Sequence, residues 1–168
     1  MPNKNTFDIV PIKLFVEKYL NNSNISIDPF ARNFQGCIYT NDLNSDTKAQ
    51  YHMKAEDFLQ MLIGKEIKAD LILFDPPYSP RQISECYKKV GLKVGMEGTQ
   101  NASLYKKVRD KIDLLISDTG IVLSFGWNSV GMGKKRGFKI IEILLVCHGG
   151  AHNDTICMAE KNTQTDEN

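Results

Sequence analysis

The sequence predicts an α/β domain built on a mainly parallel, doubly wound sheet, with helices on both faces. Three observations carry this reading. Amphipathic helical stripes alternate with short apolar runs along most of the chain. Three of these runs stop abruptly at aspartate or asparagine, two of them followed directly by proline. The last two runs are joined by a glycine-containing turn too short for a parallel crossover. Alternation of this kind is the pattern of a parallel sheet, and so short a turn joins only antiparallel strands.

The elements follow in order. Ile9, Ile12, Phe15, Val16 and Leu20 recur at helical spacing, and Pro11 falls in the first turn, where proline is tolerated. Ile25 to Ile27 reads as a first strand running into Asp28-Pro29-Phe30-Ala31. Cys37 to Thr40 reads as a second, ending at Asn41-Asp42. A third, around Gln50 to Met53, leads into a helix carrying Phe58, Leu59, Leu62 and Ile63. Asp70 to Phe74 is the fourth strand, and a helix is expected from Pro80 to Val90. Gly91 to Asn101 reads as a loop. Ala102 to Ile116 has the clearest amphipathic pattern, with Leu104, Val108, Ile112, Leu115 and Ile116 on one face and Lys106, Lys107, Arg109 and Lys111 mostly on the other. Gly120 to Phe125 is the fifth strand, Phe138 to Cys147 the sixth and Thr155 to Glu160 the seventh. The expectation is one domain over 1–161, with a polar tail over 162–168 that frays.

Composition is that of a globular protein: 42% of the 168 residues are hydrophobic and 24% are charged. No apolar run approaches the ~20 residues of a membrane span. The amino-terminal residues lack the apolar core of a signal peptide. A cytoplasmic protein with no membrane partner is expected. Cys37, Cys86, Cys147 and Cys157 form no CxxC pair and read as reduced thiols. Cys147, His148, His152 and Cys157 match no common zinc-finger spacing, and no metal is expected. Net charge is only +1, yet residues 81–136 hold eleven Lys and Arg against five Asp and Glu. Such a surface suits a polyanion, although solvated helix faces account for it nearly as well.

Asp70-Leu71-Ile72-Leu73-Phe74-Asp75-Pro76-Pro77-Tyr78 is the most informative stretch. Neither proline can donate a backbone hydrogen bond, and each holds the preceding residue extended. The strand must end there, leaving a carboxylate, rigid carbonyls and an aromatic ring at the sheet's carboxyl edge. Ligands bind at that edge in open α/β sheets. Four residues alone would also suit a plain Pro-Pro turn with Tyr78 packed on its own fold.

Asp75-Pro76-Pro77-Tyr78 resembles the catalytic motif of S-adenosylmethionine-dependent N6-adenine DNA methyltransferases. The resemblance implies a Rossmann-like methyltransferase fold, seven-stranded with a C-terminal antiparallel hairpin. It implies that Asp75 and the Pro76 carbonyl accept hydrogen bonds from the adenine amine and that Tyr78 stacks on a flipped-out base. Asp28-Pro29-Phe30-Ala31 resembles the start of the family's cofactor motif, in which a Gly-x-Gly follows. Here Arg32, Asn33, Phe34 and Gln35 intervene before Gly36. Asp42 matches the position that holds the cofactor ribose. Ala55 and Glu56 are expected near the cofactor adenine, Lys54 standing where the family often has an acidic residue. Phe7 resembles an aromatic that packs beside the cofactor, with core packing as its plainer role. Arg81 and Trp127 are expected on the substrate side.

The expected activity is methyl transfer from S-adenosylmethionine to adenine N6 in DNA. Methylation of an RNA base, at adenine N6 or guanine N2, is the alternative. A degenerate methyltransferase fold serving as a binding or regulatory module is the non-enzymatic alternative. No segment has the length of a target-recognition domain, so a specificity partner or a homo-oligomer is the expected source of recognition.

Overall fold

The computed structural model describes residues 6–77, 79–91, 101–150 and 153–163. The helices are α1 (Val10–Leu20), α2 (Ala55–Gly64), α3 (Pro80–Lys89) and α4 (Asn101–Leu115). The strands are β1 (Ser26–Asp28), β2 (Tyr39–Thr40), β3 (Ala69–Phe74), β4 (Ile116–Gly126), β5 (Phe138–Val146) and β6 (Thr155–Asn162). They form one sheet in the order β2-β1-β3-β4-β6-β5. β1 to β4 are mutually parallel, while β6 runs antiparallel to both β4 and β5.

β3 shows why the central strand is apolar at every position but Asp70. Ile72 and Phe74 pack into one core with Phe58, Leu59 and Leu62 of α2, Ile83 of α3, and Val108, Ile112 and Leu115 of α4. Leu71 and Leu73 face the opposite way, into a second core with Ile12, Phe15 and Val16 of α1. Side chains alternate across a strand, so a sheet covered on both faces needs an apolar residue at nearly every position. Lys18 Nζ and the Tyr19 hydroxyl both donate to Glu142 Oε2 of β5, fastening α1 across the sheet.

The sheet has six strands among the described residues, one fewer than expected. The missing one is the third expected strand, which is reduced to a single parallel bridge between Asn41 and Tyr51. Side chains replace its ladder. Gln50 Oε1 accepts from the Thr40 N–H, and Asn41 Oδ1 accepts from the Met53 N–H. With side-chain amides and carbonyls bonding the backbone, no longer strand forms before α2 begins at Ala55.

The carboxyl-terminal boundary also differs from expectation. Asn162 is buried within β6, its amide donating to the Ser117 carbonyl, and the Thr163 N–H donates to the Gly137 carbonyl. Residues 164–168 lie outside the described residues. Cys37 and Cys157 are buried, Cys86 is half-buried and Cys147 is exposed, all as free thiols. Among the described residues no helix is long and apolar enough to cross a membrane.

Candidate active site

β1, β2 and β3 end side by side, bringing Asp28, Asn41 with Asp42, and Asp75 to one edge of the sheet. Asn41 staples these ends together. Its side-chain amide donates to the carbonyls of Pro29 and Met53, while its carbonyl accepts from the Met53 N–H. A fully buried Asn with this many partners locks the relative position of two strand ends and the start of α2. Its sequence signal was only that of a polar residue at a strand end.

Two cavities open beside this edge and share Phe30, Arg32 and Asp75. The larger, of about 330 Å³, lies against Phe7 and the loop from Ala31 to Gly36. The narrower, of about 100 Å³, is lined by Asp42, Ala55 and Glu56 on one side and by Ile83, Tyr87, Tyr105 and Val108 on the other. Asp75 is buried at the junction.

Asp28 is completely buried beneath the cavities. Its Oδ1 accepts from the Phe30 N–H at 3.0 Å, and its Oδ2 has no hydrogen-bond partner among the described residues. Burial drives its pKa well above the ordinary carboxylate range, against the opposing Phe30 hydrogen bond. The nearby charges of Asp75 and Asp42 push the same way. Asp28 is therefore a neutral acid over part of the range in which exposed aspartates are ionised.

Asp42 is pre-oriented by its own loop. Its Oδ2 accepts from the Arg32 N–H at 3.1 Å, and its Oδ1 accepts from the Asn44 N–H at 2.8 Å. Each oxygen retains lone-pair capacity for a ligand hydroxyl. Arg32 itself sits at φ +51°, in the left-handed region that favours glycine. Holding a larger residue there costs about 1–2 kcal/mol. The loop thus keeps a glycine conformation without a glycine. Gly36 serves a different need: the Phe34 ring lies so close that an added Cβ would meet it at 2.3 Å.

Of the other expected residues, Pro29 lines the narrower cavity and Ala31 the larger. Phe7 packs edge-on against Phe34 and Phe125 at 4.8 and 5.1 Å and also lines the larger cavity. Pro76 is buried, and Pro77 lines the narrower cavity. Tyr78 lies outside the described residues. The structure does not bring Arg81 or Trp127 into either cavity. Arg81 stands on the exposed side of α3, paired with Glu85 at 2.9 Å one turn on, and Trp127 is 44% exposed beyond β4. An i,i+4 acidic partner draws an arginine along its own helix instead of across a cleft.

Sequence reasoning missed Arg32 and Tyr105. The Tyr105 hydroxyl, on α4, donates to the Pro77 carbonyl. Nothing local marks that contact, because it closes over a long stretch of chain.

This sheet order, with its reversed strand inside the final hairpin, is that of the Rossmann-like methyltransferases. The N-methyltransferase NodS of Bradyrhizobium japonicum, in complex with S-adenosyl-L-homocysteine, superposes with a TM-score of 0.59 at 11% identity, over 97% of this chain and 91% of NodS. TrmN of Thermus thermophilus gives 0.59 at 14% identity, over 90% of this chain and 48% of TrmN. NSun6 of Pyrococcus horikoshii gives 0.55 at 14%, over 88% of this chain and 50% of NSun6. The chain thus spans about half the length of TrmN and NSun6. No family model matches the chain, and no curated protein does. The protein has the Rossmann-like methyltransferase fold, carried by a six-stranded sheet among the described residues.

Proposed function

We propose that the protein is an S-adenosylmethionine-dependent methyltransferase acting on the N6 amine of adenine in DNA. The observation that carries this reading is the position of Asp75. The Asp-Pro-Pro segment ends β3, and Asp75 lies buried where the two cavities meet.

The residues present fit the cofactor. The narrower cavity offers apolar and aromatic walls for a flat base, and Asp42 in its lining is the acceptor we assign to the ribose hydroxyls. Phe30 separates it from the larger cavity, and the orphaned Oδ2 of Asp28 lies below the Phe30 turn. Co-crystallisation of NodS with S-adenosyl-L-homocysteine supports the same choice of cofactor. When bound, S-adenosylmethionine supplies a methyl group already activated by its sulfonium.

The chain's own residues then solve the nucleophile problem. The lone pair of an exocyclic adenine amine is delocalised into its ring. Asp75 accepts a hydrogen bond from the amine and the Pro76 carbonyl accepts another, which favours a pyramidal nitrogen whose lone pair is localised for attack on the methyl group. The two prolines keep these acceptors rigid, so orientation is set before reaction. Tyr78 stacks on the extruded base and offsets part of the stacking lost from the duplex.

The test is transfer of label from S-adenosylmethionine to DNA and to RNA, with the modified nucleoside identified by mass spectrometry. N6-methyl-2′-deoxyadenosine from DNA is expected, and Asp75→Ala should lower its formation about 100-fold or more. Calorimetry should show that Asp75→Ala still binds S-adenosyl-L-homocysteine. A product confined to RNA would replace the polymer, and undiminished transfer by Asp75→Ala would remove the assigned site. A folded protein that binds no cofactor would favour a regulatory module.

A further inference from the structure

Arg32 occupies a costly conformation at a telling place. Among the described residues only Arg32 and Glu66 are non-glycine residues with positive φ. Backbone strain of this kind gathers at functional sites. Two of the loop's own amides are turned to internal use: the Arg32 N–H bonds Asp42 Oδ2 at 3.1 Å, and the Phe34 N–H bonds the Ala31 carbonyl at 2.8 Å. These donors are spent on the loop itself. Of the residues lining the larger cavity, Asp8 and Asp75 are acidic and Arg32 is the cation. Arg32 also lines the narrower cavity, so it stands at the passage between them. Its positive charge reaches Asp28, where it opposes the upward shift of that acid.

A ligand with its ribose at Asp42 and its methyl group at Asp75 must pass this junction. Its remaining end, an amino acid zwitterion, enters the larger cavity. We propose that the Arg32 guanidinium binds the α-carboxylate of S-adenosylmethionine there, while the exposed Asp8 on the same cavity favours the ammonium. The inference rests on the cofactor reading above. It makes Arg32 a binding residue that anchors the carboxylate through its side chain. A planar guanidinium matches a carboxylate with two parallel hydrogen bonds, which a lysine cannot reproduce.

Titration calorimetry with two probes tests this. S-adenosyl-L-homocysteine keeps the carboxylate, and 5′-methylthioadenosine lacks the whole amino acid end. Arg32→Gly suits the positive φ and removes only the side chain, and its thermal unfolding reports that the fold is intact. Arg32→Gly should weaken S-adenosyl-L-homocysteine about tenfold or more and change 5′-methylthioadenosine by less than about twofold. Arg32→Lys should fall between. Arg32→Gly binding S-adenosyl-L-homocysteine as tightly as wild type, or losing both probes equally, overturns the assignment. A wild-type protein that binds both probes equally overturns it too, and leaves the cofactor reading standing. A wild-type protein that binds neither removes that reading and the assignment with it.

Discussion

The hydroxyl of Tyr105 on α4 donates to the carbonyl of Pro77, 28 residues earlier in the chain. The Tyr105 ring is buried and stands edge-on to Phe74 at 6.1 Å. One side chain therefore packs on the last residue of β3 and bonds the turn that follows it. Burial raises the phenol's pKa above its ordinary value, so it remains a donor through neutral pH. Tyr105→Phe keeps the ring and removes the donor. It should cost about 1 kcal/mol in urea unfolding. Methyl transfer should fall by a larger factor than affinity for S-adenosyl-L-homocysteine, because the loss falls on the Asp75 turn. Equal losses in both would show that Tyr105 supports the cofactor cavity alone.

Asp28 should make stability depend on pH in an identifiable direction. Its acidity is weakened in the fold, chiefly by burial. The folded state therefore holds a proton that the unfolded state releases near pH 4. Its contribution is complete below that pH and is lost as pH rises toward the folded pKa. Asp28→Asn has no such titration and keeps an oxygen for the Phe30 N–H. In urea unfolding from pH 4 to 8, the variant should gain on the wild type as pH rises. A difference that stays constant with pH would refute the linkage.

Glu160 of β6 is buried and accepts from the N–H groups of Met132 and Gly133 at 2.8 and 3.0 Å, and from the Ser124 hydroxyl at 3.2 Å. It pins the connection between β4 and β5. Glu160→Ala should cost about 3–5 kcal/mol, read as a lowered denaturant midpoint, because it strands buried donors. Gly131→Ala should also destabilise. Gly131 has φ +47°, and a Cβ there would lie 2.1 Å from Glu160 Oε2.

Arg136 bonds Asp110 of α4 at 2.6 Å, bringing the turn Lys134–Arg136 beside the helix that carries Lys106 and Lys107. All four lysines are exposed. If the substrate is a nucleic acid, Lys134→Ala with Lys135→Ala should weaken DNA binding. It should also make the dependence of log affinity on log salt shallower, by about one for each phosphate that is no longer neutralised. Fluorescence anisotropy at several salt concentrations reads both. An unchanged slope would place the polymer elsewhere.

The alternation of helix and strand, the final hairpin and the abrupt end of β3 were legible in the chain because local physics dictates them. Apolar periodicity selects the covered faces, and Pro76-Pro77 can only stop a ladder. The same reading placed Asp28, Asp42, Ala55, Glu56 and Asp75 at one sheet edge, since parallel strands deliver their carboxyl ends together. It expected a further strand at Gln50 to Met53, where side-chain hydrogen bonds from Gln50 and Asn41 displaced the ladder. It expected Arg81 and Trp127 on the substrate side, and neither lines the two cavities. Tertiary packing alone decided that Asp28 is buried with one oxygen orphaned, that Tyr105 grips Pro77, and that Arg32 stands strained between two cavities. Such features depend on partners many residues apart. Local pattern sets which way a strand's side chains alternate, but burial, charge and strain at a site come only from the elements packed around it.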